Sequence, residues 1–165
     1  MSGIIKYYLP PVAWMGVIFL FSTSGFSGAV TGSVLQTLLD LLGVSYTSDY
    51  LKGLNFVVRK AAHLFIYAVL ALLWLRAFVT GSGLGSAPAL FLSLFISVAC
   101  AVADEYHQSL IPERTAKPAD AMLDSGASAL ALVLAGPALK RRGKNNGAAI
   151  KRRHKTFFRN RKLNF

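Results

Sequence analysis

The sequence predicts an all-α membrane protein: a four-helix transmembrane bundle with a short interfacial amphipathic helix between helices 1 and 2. Composition is the first observation behind this. Of 165 residues, 54% are hydrophobic and 15% charged, where a soluble domain carries about 25% charged residues; mean hydropathy is +0.49. The second observation is that four apolar runs alternate with polar connections along the chain. The third is where the charge sits. Residues from Lys140 to Lys162 hold eleven of the 18 basic residues, and no acid lies beyond Asp124. The other seven basic residues match the seven acidic ones, so the net charge of +11 belongs to the C-terminal end. The length allows one domain: residues 1–139 read as the transmembrane domain and 140–165 as a basic, disordered cytoplasmic tail. A single cysteine, Cys100, excludes an internal disulfide and reads as a small buried hydrophobe.

Ile4 to Phe21 is apolar except for Lys6 and ends at Ser22-Thr23-Ser24-Gly25. A cleaved signal peptide competes here with a retained helix. The weakly charged start and Pro10-Pro11 argue against the peptide, while Tyr7, Tyr8 and Trp14 suit the interfacial end of a helix. A first transmembrane helix with a proline-adjusted turn or kink is therefore favoured. Between Gly28 and Leu54, Val34, Leu35, Leu38, Leu39 and Leu42 recur at helical spacing. That apolar run is too short to cross about 30 Å of hydrocarbon. It predicts an amphipathic helix, either lying in the interface or packed over the bundle end. Ser45 to Asp49 reads as a turn and helix start, with Ser48 or Asp49 as N-cap.

From Phe56 a helix passes Arg59-Lys60 and runs to Val79, with Lys60, His63 and Tyr67 on one face. Thr80 to Ser86 is a short flexible turn. Pro88 opens the next run, which reaches Val102 and then meets Asp104-Glu105. After a charged connection, Pro118 and Asp120 open the last run, where Ser125, Gly126, Ala127, Ser128 and Ala129 allow helices to approach closely. Positive charge marks the cytoplasmic side, so the tail and, with four spans, the N-terminus are both expected in the cytoplasm. Anionic lipid is the expected partner of the tail; nucleic acid is not favoured for a membrane-tethered segment.

Alternating helix direction brings four polar sets to one membrane face, the outer one in this orientation. They are Ser22 and Ser24; Lys60 and His63; Asp104, Glu105 and Gln108; Asp120 and Asp124. Ionisable groups this close to hydrocarbon are expected to face a cavity or each other. Lys60, His63, Glu105, Gln108, Arg114 and Asp120 are expected to form one pocket with Glu105 at its centre, and Glu105 with His63 could act as an acid–base pair. The amphipathic helix would roof it. A purely structural clamp of four helix ends is the competing reading. No HExxH motif, paired-His spacing or Gly-rich phosphate loop is present, so neither a metal nor a cofactor is expected. Ser22 or Ser24 near His63 leaves a serine nucleophile open, without an elbow motif to support it.

The residues IFLFSTS, RKAAHLFIYAVLALL and DEYHQSLIPERTAKPADAMLDSGAS resemble the VanZ-like family of small bacterial membrane proteins from about Leu9 to Leu139. Lys60, His63 and Tyr67 meet its K-x-x-H-x-x-x-Y pattern. Asp104, Glu105, Gln108, Pro112, Arg114 and Asp120 meet D-E-x-x-Q, then P-x-R, then D. Where the family usually has Asn, this chain has Asp124. The resemblance implies a multi-pass protein of the bacterial cytoplasmic membrane with a polar site facing the envelope. The family's namesake is associated with low-level resistance to the glycopeptide teicoplanin. The expected function is therefore binding or modulation of a cell-envelope component through Lys60, His63, Tyr67, Asp104, Glu105, Gln108, Arg114 and Asp120. An enzyme using acid–base chemistry on a lipid or cell-wall precursor, and a structural or partner-binding protein, are the alternatives.

Overall fold

The computed structural model describes residues 2–23, 25, 27–111, 117–137 and 139. Among them the regular structure is helical, with no strand: α1 (Ser2–Phe21), α2 (Gly28–Leu41), α3 (Ser48–Arg76), α4 (Ser86–Ser109) and α5 (Pro118–Pro137). A single wide π turn, Ala77–Gly81, follows α3. The chain divides into two units, Met1–Leu132 and Val133–Phe165. Within the second, the described residues 133–137 and 139 are helical. Everything below concerns the first unit. Arg114, Ser24 and the basic tail 140–165 lie outside the described residues.

Three of these helices are long and apolar enough to cross a membrane: α3 with its π turn, α4 and α5. The apolar part of α1, Ile5–Phe21, is shorter. Helix α3 begins at Ser48, within the turn and helix start expected over Ser45–Asp49, and continues unbroken through Phe56. Its N-cap is Thr47, not Ser48 or Asp49: the Thr47 hydroxyl accepts from the Tyr50 backbone N–H, and Asp49 sits in the first turn, where a negative charge suits the helix dipole. The expected turn at Thr80 is absorbed into the π turn as far as Gly81, and α4 starts at Ser86, two residues before Pro88.

One face of α3 carries the core. Tyr67, Leu70, Trp74 and Ala77 are buried with Ile18 of α1 and Ala101 of α4. Trp14 of α1 donates from its indole N–H to the Ile66 carbonyl at 2.9 Å. At the end of the molecule formed by the start of α1 and the end of α3, aromatic rings take over. Trp74 stacks on Phe78 at 5.4 Å between centroids, and Tyr8 meets both rings edge-on at 6.1 Å. The Tyr8 hydroxyl bonds that of Ser82. Lys6 and Arg76 lie over the Tyr7 ring, 5.9 and 5.8 Å from its centroid. Gly81 permits this closeness, since a Cβ there would come within 2.9 Å of Tyr7 Cβ.

Helix α4 turns a stripe of small and polar residues inward: Ala89, Ser93, Ser97, Ala101, Asp104 and Gln108. Asp124, Ser128 and Leu132, spaced by four on α5, are likewise buried. Ser128 donates to the Tyr67 carbonyl at 3.2 Å and so ties α5 to α3. Small residues let helix backbones approach where lipid supplies no hydrophobic drive. Gly126, expected to share in this, faces open space and has no neighbour within 4 Å of its Cβ position.

Helix α2 packs along the first half of α3 and has no buried residue. Gly28 and Gly32 stand one turn apart on α2, opposite Asn55 and Arg59, one turn apart on α3. A Cβ at Gly28 would lie 2.3 Å from Arg59 Nη1, and one at Gly32 would lie 3.2 Å from Asn55 Nδ2. Asn55 Nδ2 donates to the Gly28 carbonyl at 2.8 Å. The helix ends in a Schellman motif: Val44 N–H bonds the Leu39 carbonyl, Gly43 N–H bonds that of Asp40, and Gly43 has φ +66°.

Candidate functional site

Lys52, Asn55, Phe56, Arg59, Lys60 and His63 recur on α3 at alternating steps of three and one, which puts them on one stripe. Further along α3 that stripe becomes the apolar core. Here it lines a cavity of about 620 Å³. Gly28 and Ala29 of α2, Gln108 of α4, Lys117, and Ala119, Asp120 and Leu123 of α5 complete the walls. The polar sets from α3, α4 and α5 therefore do meet at one end of the bundle.

The charges are arranged in pairs. Lys60 and Asp120 form an ion pair with side chains 27% and 24% exposed, and the Lys60 ammonium also lies 5.6 Å from the Phe56 ring centroid. His63 Nδ1 is 3.2 Å from Asp124 Oδ2, and Asp124 is buried. An ionised carboxylate only accepts hydrogen bonds, so the ring donates from Nδ1, either as that tautomer or as imidazolium. Gln108 Nε2 donates to Asp104 Oδ2 at 2.9 Å, and both residues are buried. Asp104 Oδ1 and the Tyr67 hydroxyl are both buried, and the hydroxyl lies close enough to Asp104 to interact with it.

Glu105 stands elsewhere. It accepts from the Lys117 backbone N–H and lines a separate, largely apolar hollow between α4 and α5, of about 670 Å³, with Val98, Val102, Tyr106 and Met122. The expectation that Glu105 is the centre of the pocket and the partner of His63 is corrected on both counts. Successive residues of a helix point about 100° apart. Asp104 takes the bundle side together with Gln108 one turn on, which leaves Glu105 toward the α4–α5 seam.

Ser22 also has a different partner from the one considered. Its hydroxyl is 3.2 Å from His107 Nδ1, and the His107 ring lies against Phe19 at 4.2 Å. That contact clasps the ends of α1 and α4. Asp124 as the partner of His63 was missed; it falls four residues after Asp120 on the same α5 face, and this spacing was the available signal. Arg59, Asn55 and Lys117 were missed as cavity walls. No signal within one helix marked the first two, because the match of Gly28 and Gly32 to Asn55 and Arg59 joins two elements. Among the described residues no group of three His, Cys, Asp or Glu side chains could hold a metal ion.

Spanning helices with a charged cavity at one end define an integral membrane protein with a polar end-site. Its family follows from the sequence profile: the chain belongs to the VanZ/LLP1 family, which matches residues 7–139. Comparison with curated proteins and with solved structures gives no match.

Proposed function

We propose that the protein crosses the bacterial cytoplasmic membrane four times, through α1, α3, α4 and α5, and binds a cell-envelope component in the cavity at the outer ends of these helices. Both termini face the cytoplasm in this arrangement, α2 lies in the outer interface, and the basic tail rests on anionic lipid. The observation that carries the reading is the cavity itself: a stripe of α3 that elsewhere forms core is here given over to Lys60, His63 and Arg59. The association of the family's namesake with glycopeptide resistance makes the envelope the natural source of the ligand. Asp104, Gln108, Tyr67, Asp120 and Asp124 position the walls; Arg114 belongs to the site by its family pattern, and Glu105 flanks it.

The test is complementation in cells lacking the protein, scored by envelope lipid composition and teicoplanin susceptibility. Lys60→Gln and Asp120→Asn are expected to abolish the effect at unchanged membrane levels. Retention of the full effect by both variants would end the proposal. Acid–base chemistry on a lipid or cell-wall precursor is a second reading, favoured by the His63–Asp124 pair. It requires a chemically altered envelope lipid to accumulate with wild type and not with His63→Gln.

A further inference from the structure

Charge along the cavity wall is unevenly matched. Lys60 is paired with Asp120, and Lys52 with Asp49. Arg59 and Lys117 also line the cavity, and neither has a carboxylate partner among the described residues. Asp120 is the acid on that lining, so the wall carries a surplus of positive charge.

Where Arg59 sits makes the surplus specific. Its Nη1 occupies the space that a Cβ of Gly28 would need, at the first residue of α2. A helix N-terminus carries a positive partial charge and N–H groups with no partner inside the helix. The N-cap of α2, Ser27, makes no side-chain hydrogen bond to them. A half-buried guanidinium against an uncapped helix start is repulsive by itself. An anion in the cavity that contacts the guanidinium offsets that repulsion. Gly28 and Ala29 both line the cavity, so the space for that anion is present.

Guanidinium together with backbone amides is a chemistry suited to tetrahedral oxyanions, which accept several hydrogen bonds at once. Resting on the reading that the cavity is a ligand site, we infer that it takes a phosphoryl group, held by Arg59 and Lys117 on the cavity lining beside the start of α2. Gly28 is then a binding determinant, because it gives Arg59 its seat. The phosphoryl group could belong to a lipid headgroup at the interface or be free in solution. The recognition chemistry is the same.

The test uses the full-length protein in neutral maltoside micelles, with inorganic phosphate and n-decyl phosphate as probes, followed by calorimetric titration. Wild type and Arg59→Gln carry the same tail, so tail binding cancels between them. Saturable binding of both probes, weakened about tenfold or more in Arg59→Gln, supports a free phosphoryl ligand. The same pattern with decyl phosphate alone supports a lipid headgroup. Equal binding by wild type and Arg59→Gln overturns the inference and assigns the anion to the tail or the micelle surface. So does no saturable binding of either probe.

Gly28→Ala keeps every charge and displaces the guanidinium, and is expected to weaken binding similarly. Lys117→Gln, at an exposed position, decides the matter should neither of those variants fold: unchanged affinity there overturns the inference. Failure of the broader function is separable. If phosphate binding is absent while Lys60→Gln still abolishes the envelope effect, the site stands and its ligand is not a phosphoryl compound.

Discussion

The two ends of α3 use one helical stripe for opposite purposes. At the Trp74 end the stripe closes on aromatic rings from α1 and on the π turn, and cations lie over the face of Tyr7 at its rim. At the Lys60 end the same stripe meets carboxylates from α5 and leaves a cavity open. The first end is held by packing of apolar surface and the second by paired charges. Packing fills space, whereas opposed charges on long side chains hold walls apart. The cavity lies where the helix changes from one to the other.

The most severe way to break this contrast is Trp74→Ala. Removing a large buried ring costs about 3–5 kcal/mol, and denaturant titration in micelles should show that loss. The envelope effect should fall only as far as folded protein does. Lys60→Gln is expected to behave in the reverse manner. It keeps most of the side chain and removes the charge of a part-exposed ion pair, so the stability loss should be below about 1 kcal/mol while the effect disappears. If the two variants lost stability and function in the same ratio, the division into a packed end and a working end would be wrong.

Smaller effects sharpen the comparison. A double-mutant cycle on Lys60→Ala and Asp120→Ala should give a coupling below about 1 kcal/mol, because both side chains remain in contact with solvent. A coupling of several kcal/mol would mean that this pair belongs to the dry core. The smallest effect expected is at Tyr46, whose hydroxyl donates to Asp40 Oδ1 at 2.8 Å beside the end of α2. Accepting that bond, the Asp40 carboxylate raises the Tyr46 pKa above its ordinary value. The raised value means that the bond is present at neutral pH and is lost as pH climbs through it. Spectrophotometric titration of Asp40→Asn should show one tyrosine ionising at lower pH than in wild type.

Much of the fold was legible because apolar runs and helical spacing follow directly from burial in lipid. The start of α5 at Pro118 and a helix over the Val34–Leu42 run were readable in this way. The start of α3 was read from the turn and capping residues Ser45 to Asp49 rather than from hydropathy, and there the N-cap, Thr47, was the part misassigned. Site membership was legible by depth but not by direction. Asp104 and Glu105 lie at the same level of α4, and sequence alone does not say which points to the bundle. The neighbours decide it: Asp104 and Gln108 share the inward stripe with Ser97 and Ala101, whereas Glu105 follows Val98 and Val102 toward the α5 seam. The match between glycines of α2 and polar side chains of α3 was hidden for another reason. It joins two elements, and each half alone is a common helical pattern.

The Ser22–His107 clasp has a consequence for the lipid around α1. Helix α1, Ser2–Phe21, rises roughly 30 Å at 1.5 Å per residue, close to the thickness of the hydrocarbon. On the four-span arrangement proposed above, its length suits the bilayer, and the clasp joins it to α4 at the level of the headgroups.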